Sequence, residues 1–307
     1  MKRLVGISIG HFQKTYGDIR ALEIAKEIGA DAVDFNVSNA PFWDYRESTS
    51  IYSRPEADII AHFQKVKQKA DELGLIISQT HGRLRGYRLD EEENRAVLAN
   101  ARLDCMVTRA LGAPVCVVHS VATGLVGPDT PAEVMRDLNF RWFCDILKYA
   151  KEYGIGIATE TFGDSPKYKV CDFFGNADEF LNSYERVSAY EDNAKYFCAC
   201  VDTGHSNKAM RFDNPTPADV IRMLGKRIRV LHLNDNDTLT DQHKIPMTGC
   251  IDWNDVFDAL DEIGYTGVYN MELNLTHFGE DFDVEEAAFG VKVLRHFLKT
   301  RYSDDFE

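Results

Sequence analysis

The chain has 307 residues, 44% of them hydrophobic and 27% charged, with a formal net charge of −14. That is the make-up of an ordinary soluble globular protein, and the length suits a single α/β barrel. The acidic excess repels polyanions, so a nucleic-acid role would need a local basic patch, and no run approaches the ~20 apolar residues of a membrane span.

The N-terminal MKRLVGISIG has too short an apolar run for a signal peptide, and His11, Lys14 and Asp18 stand where a small-residue cleavage site belongs. It predicts a first strand over 4–10 in a cytoplasmic protein. A helix over 19–30 follows, with apolar residues three and four apart, and then a strand over 32–37. Next come a helix over 57–74, a strand over 75–82, a helix over 94–112, a strand over 114–120 and a helix over 132–154. Strands over 155–162, 197–205 and 228–235, a helix over 253–265, a strand over 267–274 and a closing helix over 285–300 complete the chain. Each strand is nearly all apolar before a polar end, as strands covered on both faces are. Gly29, Gly74, Gly112, Gly154 and Gly264 each stand where a helix stops before a strand, the position of a C-cap.

Eight strands alternating with helices predict a parallel sheet, and eight is the number that closes a barrel. With no linker or composition break, the expected architecture is one (β/α)8 TIM-barrel domain over 1–307. The rival, a doubly wound sheet binding a dinucleotide, lacks its turn: SIGHFQ has one glycine where G-x-G-x-x-G needs three. The seven cysteines form no CxxC pair and lie mostly in apolar runs, so they read as buried free thiols.

A barrel builds its active site from the C-terminal strand ends, and the polar residues gather there. His11 follows the first strand, His81 the third and His119 the fourth. Glu160 ends the fifth, Asp202 and His205 the sixth, His232 with Asn234 and Asp235 the seventh, and Glu272 the eighth. Asp241 and His243 lie in the loop after the seventh strand, and only His62 and His296 fall in predicted helices. A lone strand-end histidine is more often a hydrogen-bonding support, and a lone glutamate a salt-bridge partner. The conjunction of Glu160, Asp202, His232 and Glu272 on four successive strands favours a divalent metal, because three converging carboxylates without a cation are costly. Carboxylates suit Mg or Mn, and imidazole admits Zn, Co or Ni.

Two loops bear on the substrate. After the second strand, Phe42, Trp43, Tyr45 and Tyr52 offer faces for a sugar ring, with an apolar patch over a helix end as the competing reading. After the third, Arg83, Arg85 and Arg88 offer a site for phosphate or carboxylate. Solvated pairing with Asp90, Glu91 and Glu92 is the favoured reading there.

The segments ATETF at 158–162, VDTGHSNKA at 201–209, HLNDND at 232–237, D-x-H-K-x-P-M-x-G-x-I-D-W from Asp241 to Trp253 and MEL at 271–273 resemble the xylose-isomerase-like barrel superfamily. Within it the chain is most similar to the sugar phosphate isomerase/epimerase group, whose relatives include tagatose/psicose 3-epimerases, inosose dehydratase and endonuclease IV. The resemblance implies one divalent ion on Glu160, Asp202, His232 and Glu272. It also implies proton transfer by Glu160 and Glu272 at the carbon beside a carbonyl. His205 matches a substrate-contacting histidine. His81, His119, Asp241, His243 and Trp43 are further expected substrate contacts. Two epimerase positions differ: an arginine is replaced by Thr238 and a second glutamate by Pro166. The endonuclease IV set of three zinc ions also has a counterpart at every place: His81, His119, Glu160, Asp202, His205, His232, Asp241, His243 and Glu272. The net charge of −14 opposes a grip on DNA. The expectation is therefore a metal-dependent isomerase or epimerase of a small sugar, with keto-inositol dehydration second and phosphodiester hydrolysis third. No nucleic-acid or membrane partner is expected, and a homo-oligomer is allowed.

Overall fold

The computed structural model describes residues 3–38 and 43–302. Eight strands are parallel neighbours: β1 (Val5–Ser8), β2 (Ala32–Asn36), β3 (Ile76–His81), β4 (Val115–Val118), β5 (Gly156–Glu160), β6 (Phe197–Asp202), β7 (Ile228–His232) and β8 (Tyr269–Met271). Their order follows the chain from β1 to β7, and β8 returns to pair with β1, Val5 against Tyr269. A bridge between Leu233 and Met271 closes the ring: Leu233 N–H donates to Asn270 O at 2.8 Å, and Glu272 N–H donates to Leu233 O at 3.2 Å. This is the predicted α/β TIM barrel. Every predicted strand contains an observed one. The observed strands are shorter because ladder pairing stops before the ends of the predicted runs, and the polar residues beyond enter loops or short helices.

Among the described residues eight helices of at least eight residues pack outside: α1 (Asp18–Glu27), α2 (Glu56–Leu73), α3 (Glu91–Ala110), α4 (Ala132–Tyr153), α5 (Ala177–Ser188), α6 (Pro217–Leu224), α7 (Trp253–Glu262) and α8 (Asp283–Arg301). Gly74 and Gly154 end α2 and α4 with φ of 66°, a left-handed turn that strains any side chain. Two of these helices are absent from the sequence expectation. At eight residues α6 is too short for periodicity to register, although Thr216 caps it and Pro217 opens it. A two-strand hairpin, Asp164–Ser165 with Val170–Cys171, separates α5 from its strand and breaks the unit's regular length.

Two histidines need correction. His11, expected just after the first strand, and His205, expected at the end of the sixth, lie in short helices, Gly10–Tyr16 and Thr203–Ala209. The strand expected over 197–205 stops at Asp202, whose side chain accepts the His205 N–H at 2.6 Å and starts the helix.

The main core, including Phe35, Phe63, Trp142, Phe143 and Phe257, fills the space between strands and helices. Inside the ring a smaller apolar cluster holds Val115, Val117, Ala158, Cys198, Cys200 and Val230. Side chains two apart on a strand share a face. Thus Val117 precedes His119, Ala158 precedes Glu160, Cys200 precedes Asp202 and Val230 precedes His232. The apolar layer is the floor of the polar one. The seven cysteines are free; five are buried, Cys171 is half-buried and Cys250 is exposed. No helix among the described residues is long and apolar enough to cross a membrane.

Candidate metal centre

The ends of β5, β6, β7 and β8 bring Glu160, Asp202, His232 and Glu272 together. One donor atom from each lies within 4.8 Å of all the others. The register explains the meeting, since Asp202 pairs directly with His232 and Glu160 with Cys200. His232 Nδ1 lies 2.9 Å from Glu160 Oε1 and 3.2 Å from Glu272 Oε2. Asp202 is fixed from both sides: Oδ1 accepts the His205 N–H and Oδ2 accepts Asn234 Nδ2–H at 2.7 Å. Gly204 leaves room for that bond, for a Cβ there would stand 1.9 Å from Asn234 Oδ1.

Two histidine groups flank the quartet. On one side His119 Nε2 lies 3.2 Å from Glu160 Oε2 and 3.1 Å from His81 Nε2, while His81 Nδ1 lies 3.3 Å from Glu272 Oε1. On the other, Asp241 Oδ2 lies 3.5 Å from His205 Nε2 and 3.6 Å from His243 Nε2. Each flank contributes a triad whose donors also converge within 4.8 Å: His81, His119 and Glu160, and Asp202, His205 and His243. Phe162 lies between them, stacked on His205 and edge-on to His119.

The loop carrying Asp241 and His243 is held from below by buried Asp235. Its carboxylate accepts the Met247 N–H at 3.1 Å, the Ile251 N–H at 3.2 Å and the Trp253 indole N–H at 2.7 Å. Much of the Asp241–Trp253 motif is therefore scaffold.

Charge is balanced inside this cluster. Burial pushes Glu160 upward, but His232, His119 and His205 together hold it well below the usual carboxylate range. Glu272 is likewise opposed by burial and held low by His232 and His81. Burial raises Asp202, with Glu160 and Glu272 adding to the rise. Burial works against charge on His205 and His232 too, yet Asp202 and Asp241 around the first, and Glu272 and Glu160 around the second, raise both well above the ordinary imidazole value. Burial dominates at His119 and lowers it. The donor set fits a divalent cation: three carboxylates and an imidazole face one point, and the buried Glu160 Oε2 has no hydrogen-bond partner.

Other expected contacts stand elsewhere. His11 Nε2 lies 2.9 Å from Asp283 Oδ2, outside these groups. Trp43 is half-buried with its ring against Tyr52 and Phe63. Tyr52 cannot stack on a sugar: it is 2% exposed and its hydroxyl donates to Asp104 Oδ1 at 2.7 Å. Phe42 lies outside the described residues. The surface pairing expected for Arg83 is also corrected. Arg83 is buried and forms a two-pronged pair with Asp104, Nε to Oδ2 at 2.6 Å and Nη2 to Oδ1 at 2.9 Å. Its Nη1 donates to Trp43 O at 2.9 Å. Asp90 instead caps α3, and Glu91 pairs with Arg141.

Sequence reasoning missed Asp34, Gln79 and Lys208. Asp34 and Gln79 are buried on β2 and β3, with Asp34 Oδ2 3.3 Å from His232 Nε2 and Gln79 Nε2 3.0 Å from it. An acidic residue inside the apolar run AVDFNV was the available signal. Lys208 is buried beside the site, 2.8 Å from Asp164 and 3.4 Å from Asp241.

A family profile described as a xylose isomerase-like TIM barrel matches residues 22–296. The protein y4fM of Sinorhizobium fredii is 26% identical over 190 residues, which cover 61% of this chain and 55% of that protein. The chain spans about half the length of the curated relatives it matches. Among solved structures, a D-tagatose 3-epimerase-like protein superposes with a TM-score of 0.72 at 20% identity, covering 97% of both chains. The IolI protein with a bound zinc atom superposes with a TM-score of 0.70 at 16% identity, covering 97% of this chain and 99% of that one.

Proposed function

Because the chain belongs to the xylose isomerase-like TIM barrel family, we propose that it is a divalent-metal-dependent isomerase or epimerase of a sugar or sugar derivative, built as one domain over 1–307. The convergence of Glu160, Asp202, His232 and Glu272 on one point carries this reading. These four would hold one Mn, Mg, Co or Zn ion. A bound ion supplies Lewis-acid polarisation of a substrate carbonyl and a template for the neighbouring hydroxyl. The zinc in the IolI structure and the likeness to a tagatose-epimerase-like fold support that choice.

Glu160 and Glu272 project from β5 and the end of β8, so a sugar between them has one carboxylate on each face. Both are held ionised, and each is set to take a proton from carbon. His81, raised by Glu272 against the lowering effect of its burial, is the neighbour able to pass a proton back through Glu272. His119, His205, Asp241 and His243 line the substrate space. The acidic chain, at −14, is suited to a small sugar in the cytoplasm and not to nucleic acid.

Incubating candidate keto sugars with the metal-loaded enzyme in heavy water tests this reading. Deuterium should enter at the carbon beside the carbonyl, in returned substrate or product, and Glu272→Gln should abolish turnover. Near-normal turnover by Glu272→Gln would overturn the two-carboxylate mechanism. Loss of water from the product in place of inversion would mark a keto-inositol-type dehydratase on the same site.

The two flanking triads favour a second reading, phosphodiester hydrolysis on three ions. Elemental analysis separates the two, with one ion per chain expected. Three zinc ions together with nicking of abasic-site DNA would reverse the ranking.

A further inference from the structure

Asp34 is an unexplained charge. It is fully buried on β2, one layer beneath the quartet, and neither carboxylate oxygen has a hydrogen-bond partner. Among the described residues, the basic nitrogens within 4 Å of it are His232 Nε2 at 3.3 Å and His81 Nδ1 at 3.9 Å. A buried carboxylate with so little compensation is costly unless it serves a cation or a proton. Its register partner on β3, the buried Gln79, is an amide, so polarity alone does not require the negative charge.

The two ring nitrogens of His232 face different partners. Nδ1 points to Glu160 and Glu272, within 3.2 Å of both. Nε2 points to Asp34 and to the Gln79 amide. A histidine that ligates through Nδ1 must leave that lone pair free, and its single ring proton then sits on Nε2. A carboxylate accepting that proton fixes the tautomer and makes the ring a stronger donor. Gln79 fits the same state by turning its amide oxygen toward Nε2, since an amide presents either atom after a half-turn.

We propose that Asp34 is a positioning residue that accepts the Nε2–H of His232 and so commits Nδ1 to the cation. This rests on the metal site proposed above. Loss of such a partner weakens metal binding by roughly 10–100-fold.

Asp34→Asn keeps the shape and removes the charge. Chelator competition on the full-length protein, with Zn and Mn as probes, should show a dissociation constant raised by about 10–100-fold. The same substitution made in a His232→Gln background should change affinity by about twofold or less, because the histidine it acts through is gone. Nitrogen NMR of histidine-labelled, Zn-loaded wild type gives a reading free of any folding defect, with His232 protonated at Nε2 and metal-bound at Nδ1. Undiminished affinity in Asp34→Asn, an equal loss in both backgrounds, or ligation through Nε2 would each overturn the role of Asp34 alone. Wild-type protein that binds no ion would overturn the metal reading itself.

Discussion

The Trp253 indole N–H donates to Asp235 Oδ2 at 2.7 Å, and this bond ties the first residue of α7 to the segment that follows the strand ending at His232. Asp235 uses the same carboxylate to hold Met247 and Ile251, so one buried side chain gathers the loop that bears Asp241 and His243. Trp253→Phe removes one donor from a buried anion. Denaturant unfolding should show a loss of about 1–3 kcal/mol, and an unchanged midpoint would show that Asp235 holds the loop without the indole.

The barrel and the quartet were legible because both follow from period. Apolar runs ending in polar residues mark strand ends, and strand ends meet at one mouth whatever the intervening helices do. Asp34 and Lys208 were hidden for a different reason. Each lies inside a stretch read as strand or motif, and its importance comes from partners far away in sequence, His232 for one and Asp164 for the other. Arg83 was misjudged because nearby acids in sequence looked like its partners, whereas its partner is Asp104, on the buried side of α3. The short helix after Asp202 was missed because Thr203–Ala209 is only seven residues long and mostly polar, so no helical apolar period marks it.

Arg83 with Asp104 and Tyr52 forms a buried triad under the loop after β2. Burial raises Asp104 and Arg83 opposes it. Arg83→Met strands that carboxylate and should lower stability by about 3–5 kcal/mol. Arg83→Lys should recover only part, since an ammonium cannot reproduce the two-pronged contact. Thermal and denaturant unfolding check this, and full stability in Arg83→Met would contradict it.

Gly204 touches Asn234 where the latter holds Asp202. In Gly204→Ala the new methyl displaces the Asn234 side chain, and Asp202 loses a partner. Overpacking of this kind costs about 1–3 kcal/mol, and metal affinity should fall with it. Unfolding and chelator competition on the same preparation check both effects; a variant that binds metal as the wild type does would show that the Asn234 bond is dispensable.

His243 reports on pH. Burial pulls it down, but Asp241 and Glu272 raise it to about 9. A histidine raised in the folded state adds stability that is complete below the unfolded value of about 6.5 and is lost as pH rises through about 9. Chelator-treated protein should therefore melt at progressively lower temperature from pH 6.5 to beyond 9, and His243→Gln should flatten that slope. A slope equal to the wild type's would assign the dependence to other groups.

Pairing Val5 with Tyr269 joins the first strand to the last. During synthesis β1 to β7 can associate as they emerge, but the ring stays open until β8 has emerged. Glu272 arrives with that final strand. The half-built barrel thus leaves the edge of β1 unpaired until β8 arrives, and that of β7 from its own emergence until then, a state prone to pairing with other chains. Closure over so long a contour makes the last step slow. Loading of the proposed cation on all four ligands must follow the emergence of β8. Truncation before β8 should leave an aggregating product, with no four-ligand centre to rescue it.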